Sequence, residues 1–157
     1  MHVALLLALS LAADLQIGDT APLFTLKSKN ALVSLNSFVG PAAKDKKTAV
    51  LLSFYAAACE PCKNDVPYLE ALYGAYRAKN FTLLLISSEE PAPGNVPTLW
   101  DRYGIVANRY GSGARSYLLS SDGKIVWMGE RVVLDDVRRL LGEPASAPLP
   151  PALKPFT

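Results

Sequence analysis

Two apolar runs of seven residues, separated by an amphipathic stretch, constrain the fold more than any other feature of the sequence. The runs are Ala49–Tyr55 and Phe81–Ser87. Runs that are apolar almost throughout are typical of strands buried on both faces of a parallel sheet. Between them, apolar side chains recur at helical spacing, at Val66, Leu69, Leu72, Tyr73 and Tyr76. This order predicts a βαβ unit with a right-handed crossover.

Two hairpins are predicted on either side of this unit. Leu23–Leu26 and Ala31–Leu35 form a short leading pair of strands. Further along, Arg115–Ser121 and Lys124–Gly129 flank a Ser-Asp-Gly turn that ends at Gly123. Asp-Gly between two apolar segments indicates a hairpin because glycine accepts positive φ.

Two more helices complete the predicted architecture. The first runs from about Val96 to Tyr110, since Asn95 can cap its start and Pro97 suits its first turn. The second is amphipathic and ends at Gly142, with apolar side chains at Leu134, Val137, Leu140 and Leu141. The predicted fold class is α/β, a three-layer α/β/α sandwich with a central mixed sheet and an N-terminal β-hairpin extension.

The two ends of the chain differ in composition from residues 14–142, which we expect to form one domain. Residues 1–13 are apolar except for His2 and Ser10, and the run falls short of the roughly 18–20 residues that span a bilayer. We interpret it as a signal peptide cleaved before or after Ala13, with an uncleaved strand or helix as the alternative. Residues 143–157 contain five prolines and two charges, which predicts an extended, flexible tail.

Composition excludes several classes of function. The net charge is +2, and the longest basic cluster is Lys44–Lys47, so no nucleic-acid partner is expected. Two cysteines cannot form a disulfide-dense scaffold. Because the single histidine is His2, we expect neither a histidine-based metal site nor a Cys-His catalytic pair in the domain.

The two cysteines lie three positions apart where the first apolar run gives way to the helix. In Cys59-Glu60-Pro61-Cys62, residues i and i+3 of a helix are neighbours, so a disulfide can form and break with little backbone movement. The helix dipole favours a thiolate at Cys59, which we expect to be the nucleophile. Cys62 is then the resolving partner that attacks the mixed disulfide.

The two residues between the cysteines have supporting roles. Pro61 lacks an N–H that would be unused in a first turn, and it stiffens the loop. The negative charge of Glu60 should raise the pKa of the Cys59 thiol, which favours a reducing protein. Two alternatives for the pair are a fixed structural disulfide and half of a zinc site completed by a second chain.

Three stretches resemble the TlpA/ResA group of thioredoxin-like, AhpC/TSA-like proteins. Gly18–Leu26 is similar to the opening segment of that group. Phe54–Cys62 resembles its Phe-Trp-Ala-x-Trp-Cys-x-Pro-Cys segment, and Asp65-Val66-Pro67 resembles its Glu-x-Pro. The resemblance extends from about Ile17 to Gly142.

The resemblance implies a thioredoxin-like fold and a periplasmic or otherwise extracytoplasmic thiol–disulfide oxidoreductase. No cofactor is implied beyond the redox-active disulfide Cys59–Cys62. The implied partners are protein disulfides, among them apocytochrome c during haem attachment, and a membrane thiol transporter that supplies electrons. We expect a monomer. Asp65 would tune the pKa values of the cysteines and relay protons, with a favourable charge near the helix start as the alternative.

Three positions differ from thioredoxin-like patterns. Ala58 replaces the tryptophan that precedes the first cysteine in the group. Ser53 stands where cytoplasmic thioredoxins carry a buried aspartate, whose absence is normal for the ResA-like group and removes one possible base. The cis-proline of the substrate-facing loop is replaced within Gly113-Ala114-Arg115. We expect this loop to be trans, because a non-proline cis bond costs about 2.5–4 kcal/mol. Val96-Pro97-Thr98 is set aside as the equivalent loop because a helical pattern follows it.

Arg115 and the function as a whole each leave alternatives. Arg115 could stabilise a thiolate, bind an acidic partner, or be a surface arginine. A thiol peroxidase would need Thr or Ser three residues before the reactive cysteine, where this chain has Ala56. A copper chaperone of the SCO type needs CxxxC and a histidine. A thioredoxin-like assembly module without turnover is the remaining alternative.

Overall fold

The computed structural model describes residues 14–91, 94–131 and 134–156. The predicted signal peptide lies outside these residues. Within them the strands are β1 (Thr25–Lys27), β2 (Leu32–Ser34), β3 (Ala49–Tyr55), β4 (Phe81–Ser87), β5 (Thr98–Trp100), β6 (Ser116–Ser120) and β7 (Ile125–Gly129). The α-helices are α1 (Glu60–Tyr76), α2 (Ile105–Tyr110) and α3 (Leu134–Leu140), and short 3₁₀ turns cover Leu35–Ser37, Arg77–Lys79 and Pro151–Phe156.

The strands form one mixed sheet in the order β2-β1-β5-β4-β3-β6-β7. The predicted βαβ unit is confirmed, since β3 and β4 run parallel and pair over their whole length, from Ala49↔Phe81 to Tyr55↔Ser87. On its other side β3 pairs antiparallel with β6, and β6 continues into β7 through the predicted hairpin. The leading hairpin is also confirmed, as the antiparallel pair β1 and β2.

Two apolar cores cover the two faces of the sheet. Along β3, Leu51 packs with Leu72 of α1 and Val137 of α3. Its neighbour Leu52 faces the opposite core, which contains Tyr110 of α2. Successive side chains of a strand point to opposite faces, so one buried strand supplies both cores. The predicted three-layer α/β/α sandwich is confirmed.

The helix predicted over Val96–Tyr110 is wrong for its first half. Thr98–Trp100 is strand β5, which pairs parallel with β4 and meets β1 at Lys27↔Trp100. Leu99 is fully buried there. Pairing to an existing sheet outweighs a weak local helix preference. The helix that follows has only six residues, and the carboxylate of Asp101 caps it by accepting from the N–H groups of Val106 and Ala107.

The C-terminal segment is not the loose tail that its prolines predicted. Leu153 is 1% exposed and belongs to the core on the α1 side, and Phe156 packs edge-on against Tyr68 of α1. Arg138 donates to the carbonyl groups of Pro144 and Ala147 along the way. Apolar side chains spaced between the prolines therefore bind the segment to the domain.

The two predicted glycine positions are confirmed. Gly123 has φ of +81° in the turn between β6 and β7, and Gly142 has φ of +75° directly after α3. The N–H of Glu143 reaches back to the carbonyl of Arg138 at 2.9 Å, which closes the helix end. Across the described part of the chain, no helix combines the length and the apolarity that crossing a bilayer requires.

Candidate active site

The cysteine pair lies where the central strand gives way to the first helix. Strand β3 ends at Tyr55, and Cys59 follows as the N-cap of α1 with extended φ and ψ of −91° and 103°. Its Sγ accepts a hydrogen bond from the N–H of Cys62 at 3.2 Å. An N–H at this helix end lacks an intrahelical partner, so it is free to face the sulfur. Cys59 therefore sits at the positive end of the helix dipole.

The two sulfurs are joined as a disulfide but differ in access. Their Sγ atoms are 2.06 Å apart and the Cα atoms 5.3 Å apart. Cys62 is 6% exposed, whereas Cys59 is half-buried. The Sγ of Cys62 faces inward and lies 3.8 Å from the carbonyl oxygen of Phe54. Cys59 is thus the sulfur that an incoming group reaches more easily.

Glu60 and Pro61 occupy the exposed first turn, as the sequence placed them. Pro61 lies among the first two residues of α1, where a missing N–H costs no hydrogen bond. The carboxylate of Glu60 pairs with Lys63 at 3.4 Å, and both side chains are exposed. This neighbour partly offsets the negative charge that the sequence places beside the thiol pair.

Asp65 forms a half-buried ion pair that joins α1 to the loop before β6. Its Oδ2 accepts from Nη2 of Arg115 at 2.6 Å, and the two side chains are 17% and 16% exposed. The other guanidinium nitrogen of Arg115 lies 3.1 Å from Glu130. Arg115 is therefore not the surface arginine that was left as an alternative from the sequence. Its contact with Asp65 connects the loop before β6 to helix α1.

A second arginine extends this contact to the C-terminal segment. Nε of Arg131 is 4.0 Å from Asp65, and its guanidinium stacks 3.9 Å from the ring centre of Tyr68. The ring of Phe156 lies on the same guanidinium at 5.8 Å. Burial raises the pKa of Tyr68, and the nearby positive charge of Arg131 opposes that rise.

The loop that the resemblance predicts to face the substrate leads directly into β6, the antiparallel neighbour of β3. Gly113 is exposed, and Ala114 and Arg115 are half-buried. The N–H of Arg115 donates to Gly129 at 3.0 Å, and its carbonyl accepts from the N–H of Phe54 at 2.9 Å. Throughout the described ranges every peptide bond is trans, including those of this loop. The main chain of Arg115 is thus fixed to β3 and β7 at once.

Ser53 replaces the buried carboxylate that cytoplasmic thioredoxins carry, and it is not left unpaired. Its hydroxyl lies 3.1 Å from that of Ser116, which in turn donates to the carbonyl of Glu130 at 3.2 Å. Both serines are buried. A neutral hydroxyl pair therefore fills this part of the sheet beneath the site.

A cleft of about 230 Å³ is lined in part by Tyr55 and Val66, and its lining does not include either cysteine. It lies between α1 and the segment after β4, with Tyr55 and Val66 on its walls and Glu70, Glu89 and Glu90 around it. No local pattern in the sequence predicts this cleft, because its walls come from separate parts of the chain. Among the residues that the structure describes, no group of three or more His, Cys, Asp or Glu side chains could hold a metal ion.

Comparison with known proteins agrees with this arrangement. Residues 17–128, well over half of the sequence, match one family across the sheet, the cysteine pair and the substrate-facing loop. The chain belongs to the AhpC/TSA family. Within this family, it is similar to the thiol-disulfide oxidoreductase ResA of Bacillus thuringiensis (strain Al Hakam). The two are 26% identical over 126 residues, which cover 71% of this chain and 68% of the relative.

Two further similarities support the same group. The thiol-disulfide oxidoreductase ResA of Oceanobacillus iheyensis is 33% identical over 72 residues, or 46% of this chain and 36% of that protein. The thioredoxin domain of a thiol-disulfide oxidoreductase from Bacteroides vulgatus superimposes with a TM-score of 0.64 at 25% identity, over 82% of this chain and 99% of that one. The predicted resemblance and enzyme class are confirmed: this AhpC/TSA member is a thioredoxin-like protein of the thiol–disulfide oxidoreductase group.

Proposed function

We propose that the protein is an exported thiol–disulfide oxidoreductase in which Cys59 attacks and Cys62 resolves. The observation that supports this most directly is the unequal exposure of a disulfide at a strand-to-helix junction. Cys59 is half-buried at the helix cap, whereas Cys62 is 6% exposed. A structural disulfide has no need for one reachable sulfur at a helix end, whereas thiol exchange does.

The reaction transfers two electrons from the reduced pair to a substrate disulfide. The Cys59 thiolate attacks one substrate sulfur, the substrate S–S bond breaks, and the released thiolate takes up a proton. Cys62 then loses its proton to water and attacks Sγ of Cys59. The mixed disulfide breaks, the second substrate sulfur leaves and is protonated, and the Cys59–Cys62 bond forms. The substrate is reduced to a dithiol and the enzyme is oxidised.

The helix end supplies the stabilisation that the first step needs. The N–H of Cys62 donates to Sγ of Cys59 in the disulfide state, at 3.2 Å. In the reduced protein the same N–H can donate to a thiolate, and a hydrogen bond to a charged acceptor is roughly twice as strong as one to a neutral acceptor. The thiolate form is thereby favoured at Cys59 over Cys62, because the sulfur of Cys62 faces the carbonyl oxygen of Phe54.

The proposed substrates are protein disulfides outside the cytoplasm, with apocytochrome c as one candidate. The signal-peptide pattern of residues 1–13 and the similarity to ResA proteins support this location. Electrons would come from a membrane thiol transporter, and the enzyme would act as a monomer without a metal or a nucleic-acid partner. The sulfur pair lies outside the cleft lined by Tyr55 and Glu70, at an exposed helix end that a polypeptide could approach.

Trapping tests this function directly. Cys62→Ala removes the resolving sulfur, so the variant should retain protein substrates as mixed disulfides through Cys59. Cys59→Ser should abolish both trapping and reduction of a protein disulfide, such as that of insulin. Mass spectrometry of the trapped species in an extracytoplasmic extract would identify the substrate. A wild-type pair that never cycles with dithiothreitol under native conditions, or a Cys62→Ala variant that traps no partner, would contradict the proposal.

A further inference from the structure

Four residues, one of which is the buried Cys62, form a closed ring of contacts. The Sγ of Cys62 lies 3.8 Å from the carbonyl oxygen of Phe54. The N–H of Phe54 donates to the carbonyl of Arg115 at 2.9 Å. The guanidinium of Arg115 donates to Asp65 at 2.6 Å. Asp65 lies three residues after Cys62 on α1, so the helix itself closes the ring.

Arg115 is the member of this ring that joins separate elements. Its main chain is bonded to β3 through Phe54 and to β7 through Gly129, at 2.9 and 3.0 Å. Its side chain crosses to α1, where it is 16% exposed and paired with a carboxylate that is 17% exposed. An ion pair at this depth is screened less than one at the surface. Without Arg115, Asp65 would keep only the longer contact with Arg131, at 4.0 Å.

We propose that Arg115 is a positioning residue for the resolving step, in which Cys62 attacks the mixed disulfide formed by Cys59. The inference rests on the proposed function. When the Cys59–Cys62 bond is broken, the short main-chain link keeps the two residues close, but no bond fixes the direction of the Cys62 sulfur. The ring then keeps the start of α1, and with it the Cys62 sulfur, against the end of β3. Cys62 remains within reach of Sγ of Cys59, and the second substrate sulfur can be displaced.

The first step does not depend on the ring in the same way. Cys59 precedes α1 as its cap, and its sulfur contacts the ring only through the main-chain N–H of Cys62, a helix-end group whose position does not depend on which way the Cys62 sulfur faces. Loosening the ring should therefore leave the attack on substrate almost unchanged. The signature of a positioning role is a change in the ratio of the two rates, with accumulation of the mixed disulfide.

The two ion pairs at position 115 also require an arginine, and another cationic side chain would not make both of them. The two terminal nitrogens of Arg115 bind different carboxylates, Nη2 with Asp65 and Nη1 with Glu130 at 3.1 Å. A lysine is a point charge that cannot match this fork, although it keeps the charge beside Asp65. Arg115→Lys should therefore restore part of what Arg115→Met removes.

Rapid-quench mass spectrometry of the full chain, reduced and mixed with a peptide that carries one internal disulfide, measures both steps. In Arg115→Met we expect resolution of the mixed disulfide to slow by about 10-fold to 100-fold, the scale for a reacting group displaced by about 1 Å. The rate of its formation should stay within about twofold of wild type, and Asp65→Asn should behave alike. Arg115→Lys should lie between. Arg139→Met is the matched control, since that side chain is 77% exposed and pairs with Asp136, three residues earlier on the same helix.

Three outcomes would overturn the inference. The first is unchanged resolution in folded Arg115→Met, and the second is an equal slowing of both steps. If Arg115→Met does not fold, Asp65→Asn and Arg115→Lys replace it in the experiment. The third outcome is a normal rate of resolution in both of these variants. A wild-type protein that forms no mixed disulfide would remove the proposed function together with the inference. Any of the three outcomes, seen beside a wild type that does form the mixed disulfide, would remove the inference alone.

Discussion

Cys59 and Cys62 are the same chemical group in two different settings. One caps a helix and is half-buried, and the other is 6% exposed with its sulfur turned towards Phe54. The spacing of three and the position after an apolar run are local properties, so the sequence alone predicted the pair. The direction in which each sulfur faces depends on strand β3, and only the structure shows it.

The partner of Asp65 illustrates what local reasoning cannot reach. Asp65 and Arg115 are both candidate site residues from the sequence, but nothing there predicts that they are in contact, since they lie 50 positions apart. Their contact follows from β6 pairing with β3, which brings the substrate-facing loop beside the start of α1. A charge pair between distant elements has no periodicity, so no pattern in the sequence could have indicated it.

The turn between β6 and β7 yields a prediction for a single residue. The hydroxyl of Ser120 donates to the carboxylate of Asp122, and this hydrogen bond is the main cause of the lowered pKa of Asp122, whose ordinary value is 3.8. A lowered folded-state pKa stabilises the fold above pH 3.8, and that stabilisation is lost as pH falls through the lower value. Ser120→Ala should raise the pKa of Asp122 towards 3.8 in a carboxyl NMR titration.

The neighbouring variant Ser121→Ala leaves the Ser120 hydroxyl in place and is the control. Its Asp122 titration should match that of wild type. A Ser120→Ala titration that also matches wild type would show that backbone groups, and not this hydroxyl, hold the carboxylate in its charged form.

At the scale of elements, length decided which predictions succeeded. The two seven-residue strands β3 and β4 were predicted with their observed bounds, because long apolar runs bounded by turn residues are distinctive. Strand β5 has three residues, and its neighbours Asn95 and Pro97 suggested a helix start. A segment so short takes its conformation from the sheet edge that it meets, here β4 and β1.

Two glycines in different elements should respond to alanine with opposite signs. Gly123 has φ of +81°, and an added Cβ would lie 3.3 Å from Val39, so Gly123→Ala should lower the free energy of unfolding by about 1–2 kcal/mol. Gly74 is exposed within α1, with nothing within 4 Å of an added Cβ. Gly74→Ala should raise the free energy of unfolding by about 0.5–1 kcal/mol.

Urea denaturation followed by circular dichroism measures both changes. Each variant serves as the control for the other, because the chemical substitution is identical. Equal destabilisation by the two would show that backbone conformation is not what distinguishes the sites.

At the scale of the whole molecule, the C-terminal segment is part of the domain. Its prolines indicate that helix α3 does not continue past Gly142, but they do not indicate that its apolar side chains are buried. Leu153 fills the core beside α1, and Lys79 and Arg138 both pair with Glu143, at 3.0 and 3.6 Å. Burial of a leucine stabilises by about 1.5–3 kcal/mol, and the prolines reduce the conformational entropy that is lost when the segment is ordered.

Truncation of Leu153 tests this packing. Leu153→Ala should lower the free energy of unfolding by about 2–5 kcal/mol, the usual range for a buried leucine. The matched control is Leu32→Ala, because Leu32 is 74% exposed on the edge strand β2. That change should stay within about 0.5 kcal/mol. Guanidinium denaturation gives both free energies of unfolding. Equal effects from the two substitutions would show that Leu153 is not packed in the core and that the C-terminal segment is loosely held.

The burial of Leu153 also sets an order of events during synthesis. A chain that emerges from its N-terminus cannot close the core around Leu69, Leu72 and Tyr76 until residue 153 has appeared. Until then the α1 face of the sheet keeps apolar surface open to solvent or to a chaperone. The nascent protein should therefore remain incompletely folded until the ribosome has passed residue 153, although every strand of the sheet has been synthesised well before that point.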